Sequence, residues 1–279
     1  MRTEKGIIVP DEHEPRKATY LQYTDYHRFP GGLKKLEFVV ETLRRLGRDP
    51  AQVSVLSLGC GNGSLLLPLA SLGYRILGVD IHKPSIELAR QRNPFTNAQF
   101  EVADASTFEP AEGFDVVICS EVLEHLAEPL RMIRTIERTM KDDGQAIITV
   151  PNGQGLRELL GRIEDHLCDR LGMRRLLRGV RRLLGMPDPD KKRTMHTLNL
   201  MQDGTGHVQF FSLPGLRRRL ERGGLEIVKV AKSFFIFSVF TGKRGDEWTA
   251  IDRFDSWLAD LLPASMASGW YLLCRKARG

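Results

Sequence analysis

Gly59-Cys60-Gly61-Asn62-Gly63 has the spacing of a turn that takes a ligand against bare backbone. Glycine at alternate positions lets the main chain approach closely and then enter a helix at its electropositive end. A dinucleotide fingerprint would need glycine at 59, 61 and 64, but Ser64 stands at the last position. A phosphate cradle would want Lys and Ser/Thr after the turn, and neither pattern is present. Asp80 closes an apolar run downstream, where a carboxylate accepts hydrogen bonds from two ribose hydroxyls. Glu121, Glu124 and His125 are spaced i, i+3, i+4. A helix starting there would put all three on one face, a set able to hold a divalent metal with open positions. Two other readings stay open: His125 or His207 as general base, and a structural role in which Glu caps a helix and His packs.

These residues need a scaffold, and the hydrophobic pattern supplies one. From Val53 onward, short apolar runs alternate with helical periodicity, the signature of a parallel sheet with crossover helices. Strands are expected at 53–58, 75–80, 98–102, 114–119, 145–150, 225–232 and 270–274, and helices at 33–46, 64–72, 84–92 and 212–222. A further helix after the fourth strand carries Leu130, Ile133 and Ile136 on one face. Two stretches break the rhythm, Gly153–Gly206 and Ile236–Gly269, and each follows a strand. Ligands of open α/β sheets bind beyond the carboxyl ends of the strands, so both insertions are expected over the active-site rim, as a cap or as surface elaboration.

The order and spacing of the motifs resemble the class I S-adenosylmethionine-dependent methyltransferases. Leu58–Gly63 matches their glycine-rich first motif, Gly78-Val79-Asp80-Ile81 their ribose-binding strand, Ala103-Asp104-Ala105 their adenine segment, and Cys119–Leu126 the stretch after the fourth strand. The resemblance covers about 50–152 and 206–232 plus the last strand, and is nearest in motif to the ubiquinone-pathway O-methyltransferases. It implies an α/β, Rossmann-like, seven-stranded mostly parallel sheet with helices on both faces and an inserted helical cap. It also implies S-adenosylmethionine, with Gly59, Cys60, Gly61, Asn62 and Gly63 along its methionine portion and Asp80 on the ribose. Ile81 would stack on adenine, Asp104 and Ala105 would meet its edge, and Ser120 and Glu121 would sit beside the sulfonium. The family often carries an acid where this chain has Ser57. The Glu121, Glu124, His125 set also resembles the metal-binding face of those O-methyltransferases and of small-RNA 2′-O-methyltransferases, where a later histidine, here His207, joins. The catalytic candidates are therefore His125, His207 and Glu121. The implied activity is methylation of an oxygen on a small-molecule or lipid-linked acceptor. Alternatives are a metal-assisted RNA 2′-O-methyltransferase and a non-catalytic cofactor-binding regulator.

The expected organisation is an N-terminal arm over the cofactor (1–49), a core (50–152 and 206–279) with an acidic amphipathic insertion (236–269), and a basic helical cap (153–205). Tyr23, Tyr26 and His27 in the arm either close the site or simply pack. The chain has 279 residues, 41 Lys and Arg against 35 Asp and Glu, and a formal net charge of +6. That composition excludes a disordered or collagen-like chain. Residues 156–193 hold nine Arg and two Lys against six acids, so nearly all the excess sits in one insertion. Its Arg face beside apolar stripes is read as packed on the core, laid on an anionic membrane surface, or gripping nucleic-acid phosphates. Residues 246–262 carry five acids with Ile251, Phe254, Trp257, Leu258 and Leu261 at helical spacing, which predicts docking of the two insertions. Four cysteines without a CxxC pair, no signal-peptide core at Met1–Glu14 and no long apolar run predict a reduced, cytoplasmic protein, with peripheral contact at the inner membrane surface as an option. Oligomeric state is not legible in the sequence.

Overall fold

The computed structural model describes residues 22–24, 30–153, 208–234 and 250–278. The basic cap beyond Gly153, His207, Tyr26 and His27 lie outside the described residues, and with them the docking of the two insertions. One seven-stranded sheet organises the chain, in the order β3-β2-β1-β4-β5-β7-β6. Its strands are β1 (Ser54–Leu58), β2 (Arg75–Asp80), β3 (Ala98–Val102), β4 (Phe114–Ser120), β5 (Met140–Pro151), β6 (Leu225–Lys232) and β7 (Gly269–Lys276). Pairing is parallel except along β7, which runs antiparallel to both β5 and β6. The chain reverses between β1 and β4, and that switch point leaves a crevice beyond the strand ends.

Neighbouring residues of the inner strands serve opposite faces. Val55, Val116, Ile118 and Ile147 join one buried cluster, while Leu56, Val117, Cys119 and Ile148 join the other. This explains why these strands are mostly apolar without strict alternation: both faces are covered. α1 (Pro30–Arg44), α2 (Leu66–Ser71) and α3 (Lys83–Arg92) contribute to the first cluster; α4 (Pro129–Thr139) and α5 (Leu213–Arg222) contribute to the second. α1 buries Leu36, Val39, Val40 and Leu43 along one stripe. A fully buried side chain of that size is worth about 1.5–3 kcal/mol, enough for the stripe to fix the helix on the sheet. α4 buries Met132, Ile133 and Ile136 as its periodicity requires, and turns Arg131, Arg134 and Arg138 outward. Ser212 caps α5 by accepting the Gly215 N–H, and Gly223 ends the helix.

The expected acidic helix forms as α6 (Ala250–Leu261), but with an unexpected orientation. Phe254, Trp257 and Leu261 are exposed while Asp255 and Ala259 are buried. Its acid side is engaged with the core: Asp260 pairs with Lys34 at 3.2 Å, and Lys232 donates to the Asp260 and Leu262 carbonyls.

At the end of the sheet away from the crevice, one buried carboxylate ties three strands. Asp115 accepts the Ser54 N–H at 2.8 Å and the Ser54 hydroxyl at 2.7 Å, with Arg48 at 2.6 Å and Lys141 at 2.9 Å. Burial alone would raise its pKa, but these bonds outweigh it and hold the carboxyl well below the usual range.

Candidate functional site

The glycine turn sits where the sequence places it, between β1 and α2. Gly59, Gly61 and Gly63 all have positive φ. At Gly59 a Cβ would lie 2.5 Å from Val122 Cγ2, so strain and space both demand glycine. At Gly61 nothing lies within 4 Å of the same position, leaving the backbone open to the crevice. Asp80, at the end of the neighbouring strand, holds this turn directly. Its Oδ2 accepts the Gly61 N–H at 2.8 Å, and its Oδ1 accepts the His82 N–H at 2.8 Å. Cys60 donates its N–H to Val79 O at 3.0 Å, and burial pushes its thiol up, so it serves as a backbone element of the turn. Asn62 closes the turn through Oδ1 and the Ser64 N–H. Ser57, where the family often has an acid, is buried in β1.

The residues expected at the adenine follow the ends of β2 and β3, which are joined where the Ala103 N–H bonds to Asp80 O at 3.1 Å. Ile81, beside Asp80, is 70% exposed, an apolar side chain standing free at a strand end. Asp104 spends its Oδ1 on the Ser106 N–H and hydroxyl, which lower its pKa and shape the loop. Ala105 is buried in the core. In the arm, Tyr23 meets Phe95 edge-on at 4.7 Å, which is the packing reading.

The third group departs from expectation. No α-helix begins at Glu121; Leu123–His125 is a single 3-10 turn, and α4 starts only at Pro129. Glu121 has φ 56, the one non-glycine residue with positive φ among those described, so its side chain leaves in a different direction from that of Glu124. The one-face expectation is therefore corrected. Glu121 Oε1 accepts the Thr149 hydroxyl at 2.7 Å and lies 3.3 Å from Lys35 Nζ. Since Thr149 donates to Glu121, the Ser120 hydroxyl at 2.9 Å donates to Thr149. Glu124 turns inward, 1% exposed, and both its carboxylate oxygens lack a hydrogen-bond partner among the described residues. His125 Nε2 is 3.8 Å from Glu124 Oε1. Among the described residues no three His, Cys, Asp or Glu side chains converge as metal ligands. Glu121 as placed is committed to Lys35 and Thr149, so the set does not fit a shared cation and no step is built on one. Lys35 and Thr149 are the two residues sequence reasoning missed. Thr149 was findable, because it pairs in register with Ser120 at the carboxyl ends of β4 and β5. Lys35 carried no local signal, lying in an ordinary amphipathic helix far away in sequence.

Burial first, and then the Glu121 carboxylate, push Glu124 up to about 8 from an ordinary 4.5. Between those values the unfolded chain is ionised there and the folded chain is not, so the native state loses stability as pH rises, by roughly 1.4 kcal/mol per pH unit. Glu124→Gln, which cannot ionise, is expected to raise the melting temperature at pH 8 and hardly change it near pH 4.5. Melting curves at both pH values check this, and an equal shift at the two would refute it.

A family model described as a methyltransferase domain matches residues 33–230. The chain is 31% identical over 122 residues to the ubiquinone biosynthesis O-methyltransferase of Rickettsia akari, covering 42% of this chain and 48% of that protein. It is 31% identical over 122 residues to the mitochondrial ubiquinone biosynthesis O-methyltransferase of Mus musculus, covering 41% and 33%. The match thus spans half or less of the length of these relatives. Among solved structures, the magnesium protoporphyrin IX methyltransferase from Synechocystis PCC 6803 with bound SAH superposes with TM-score 0.54 at 17% identity, covering 88% of this chain and 84% of that one. An S-adenosylmethionine dependent methyltransferase from Mesorhizobium loti gives TM-score 0.54 at 16% identity, covering 85% and 96%. These two likenesses concern the fold.

Proposed function

Because the chain belongs to the class I S-adenosylmethionine-dependent methyltransferases, we propose that the group it methylates is a hydroxyl oxygen of a small or lipid-linked metabolite. The observation that carries this reading is the polar cluster at the carboxyl ends of β4 and β5, where Ser120, Glu121, Glu124 and His125 gather beside the glycine turn. Similarity to ubiquinone biosynthesis O-methyltransferases supports oxygen as the acceptor atom and a lipid-linked phenol as the class to try first. Bound S-adenosylmethionine supplies a methyl group activated by the adjoining sulfonium. Asp80 fixes the turn and offers its carboxylate to the ribose, while Ile81 gives the adenine an apolar surface. His125, half-buried and backed by Glu124, receives the hydroxyl proton as the acceptor oxygen attacks in line.

His125→Ala is expected to lower kcat by about 100-fold, the usual contribution of a general base, with little change in cofactor affinity. Turnover on a panel of catechols, phenols and quinol-type lipids, with calorimetry for the cofactor, checks both halves. Unchanged kcat would remove His125 from the mechanism, and exclusive transfer to nitrogen or carbon acceptors would overturn the oxygen assignment.

A nucleic-acid acceptor is the second reading, favoured by one feature. A groove of about 670 Å³ between α4 and α5 opens next to Ser106 and Ala127 and is lined by Arg131, Arg134, Arg138, Arg219 and Arg222. Salt-dependent RNA binding lost on charge removal at Arg131 and Arg134 would favour it over the small acceptor. Peripheral membrane contact belongs to the same group of proposals, and vesicle sedimentation tests it. Among the described residues no helix is long and apolar enough to cross a membrane.

A further inference from the structure

Lys35 reaches the site from α1. Its side chain is only 12% exposed, and Nζ lies 3.3 Å from Glu121 Oε1. That same oxygen accepts the Thr149 hydroxyl, which in turn takes the Ser120 hydroxyl, so a chain of hydrogen bonds ends on a carboxylate paired with the Lys35 ammonium. Glu124 is close enough for the Lys35 charge to act on its carboxyl against the effect of burial. A partly dehydrated ammonium is costly unless a fixed negative partner meets it, and here Glu121 does.

A divalent ion bound by Glu121, Glu124 and His125 would need Glu121 to turn from Lys35 and Thr149, and would then face the Lys35 ammonium as a like charge. We propose that Lys35 takes the place of a divalent cation in this site: its ammonium balances the Glu121 carboxylate and holds it beside the acceptor. This rests on the reading that the Glu121–His125 cluster is the acceptor end of the site. The consequence is a methyl transfer that proceeds without added metal, in a pocket that becomes a metal site when the ammonium is removed.

The test reads cation binding itself and needs no acceptor, so a wrong acceptor assignment leaves it intact. Metal-free wild-type protein, Lys35→Met and Lys35→Arg are titrated with Mn²⁺, with free ion followed by electron paramagnetic resonance. Lys35→Met is expected to bind one Mn²⁺ per chain at least about tenfold more tightly than wild type, through the uncovered charge of Glu121. Lys35→Arg, which keeps a cation, is expected to behave as wild type. S-adenosylmethionine calorimetry on each variant shows that the fold and the cofactor site are intact. Once an acceptor is in hand, wild-type turnover should resist EDTA, whereas Lys35→Met should lose kcat and regain part of it with Mn²⁺. Wild-type Mn²⁺ affinity equal to that of Lys35→Met, or no gain of affinity in that variant, overturns the proposal. So does wild-type turnover that EDTA abolishes and Mn²⁺ restores.

Discussion

Asp80→Ala is expected to weaken S-adenosylmethionine binding by about a hundredfold, on the order of 3 kcal/mol, the sum of one or two hydrogen bonds to a charged acceptor. The effect has two origins in the geometry. The carboxylate is the ribose partner implied by the family, and it also accepts the Gly61 N–H, so its loss frees a turn whose backbone is held at positive φ. Asp80→Asn separates the two. The amide keeps the shape and one acceptor but presents a donor to either the Gly61 or the His82 N–H. It should therefore bind the cofactor less well than wild type and better than Asp80→Ala. Calorimetry with the three proteins decides, and Asp80→Ala binding within threefold of wild type would show that the turn and ribose site do not depend on this residue.

The largest stability effect is expected far from the chemistry. Asp115→Ala should cost about 3 kcal/mol, since removing one member of a buried ion pair leaves its hydrogen-bonding partners unmet. In a chain of this size that is roughly 6–10 °C in melting temperature. Ser54 loses the acceptor for its backbone N–H, while Arg48 and Lys141, both partly exposed, recover some hydration. The sign with pH follows from a depressed folded pKa. The stabilisation is complete above the unfolded carboxyl value near 3.8 and drains away as pH falls toward the lower folded value. The gap between wild type and Asp115→Ala should thus be widest near neutrality and narrow in acid. A gap of the same width at pH 3 and pH 7 would count against the ion-pair account.

The contrast between these two aspartates shows what the sequence could announce. Asp80 was legible because a strand end, a glycine turn and their separation form a pattern that chemistry requires. The parallel core was legible because strands buried on both faces are dominated by apolar residues, as Val55-Leu56 in β1 and Val116-Val117-Ile118 in β4 are. Asp115 gave no such sign: its partners Arg48, Ser54 and Lys141 are far apart in sequence and meet only when β1, β4 and β5 align. Glu121 misled for a different reason. Spacing i, i+3, i+4 implies one face only when the backbone is helical, and its left-handed conformation breaks that premise. Lys35 joins the site solely through the way α1 lies across the sheet. The orientation of α6 was hidden likewise, because an apolar stripe in sequence does not say which neighbour it meets.

The junction at Gly153 bears on how much change the chain tolerates between residues 153 and 208. Gly153 donates its N–H to Phe211 O at 3.2 Å, while the Val208 and Gln209 N–H groups both bond to Glu124 O at 2.9 Å. Gly153 and residues 208–211 are therefore tied to each other and to the Glu124 backbone. Closing a loop on a fixed junction depends only weakly on its length, about 0.6 kcal/mol for each doubling. The stem then acts as a coupling flange: a segment of different length or composition can be exchanged there while the cofactor socket and the Asp115 clamp stay as they are.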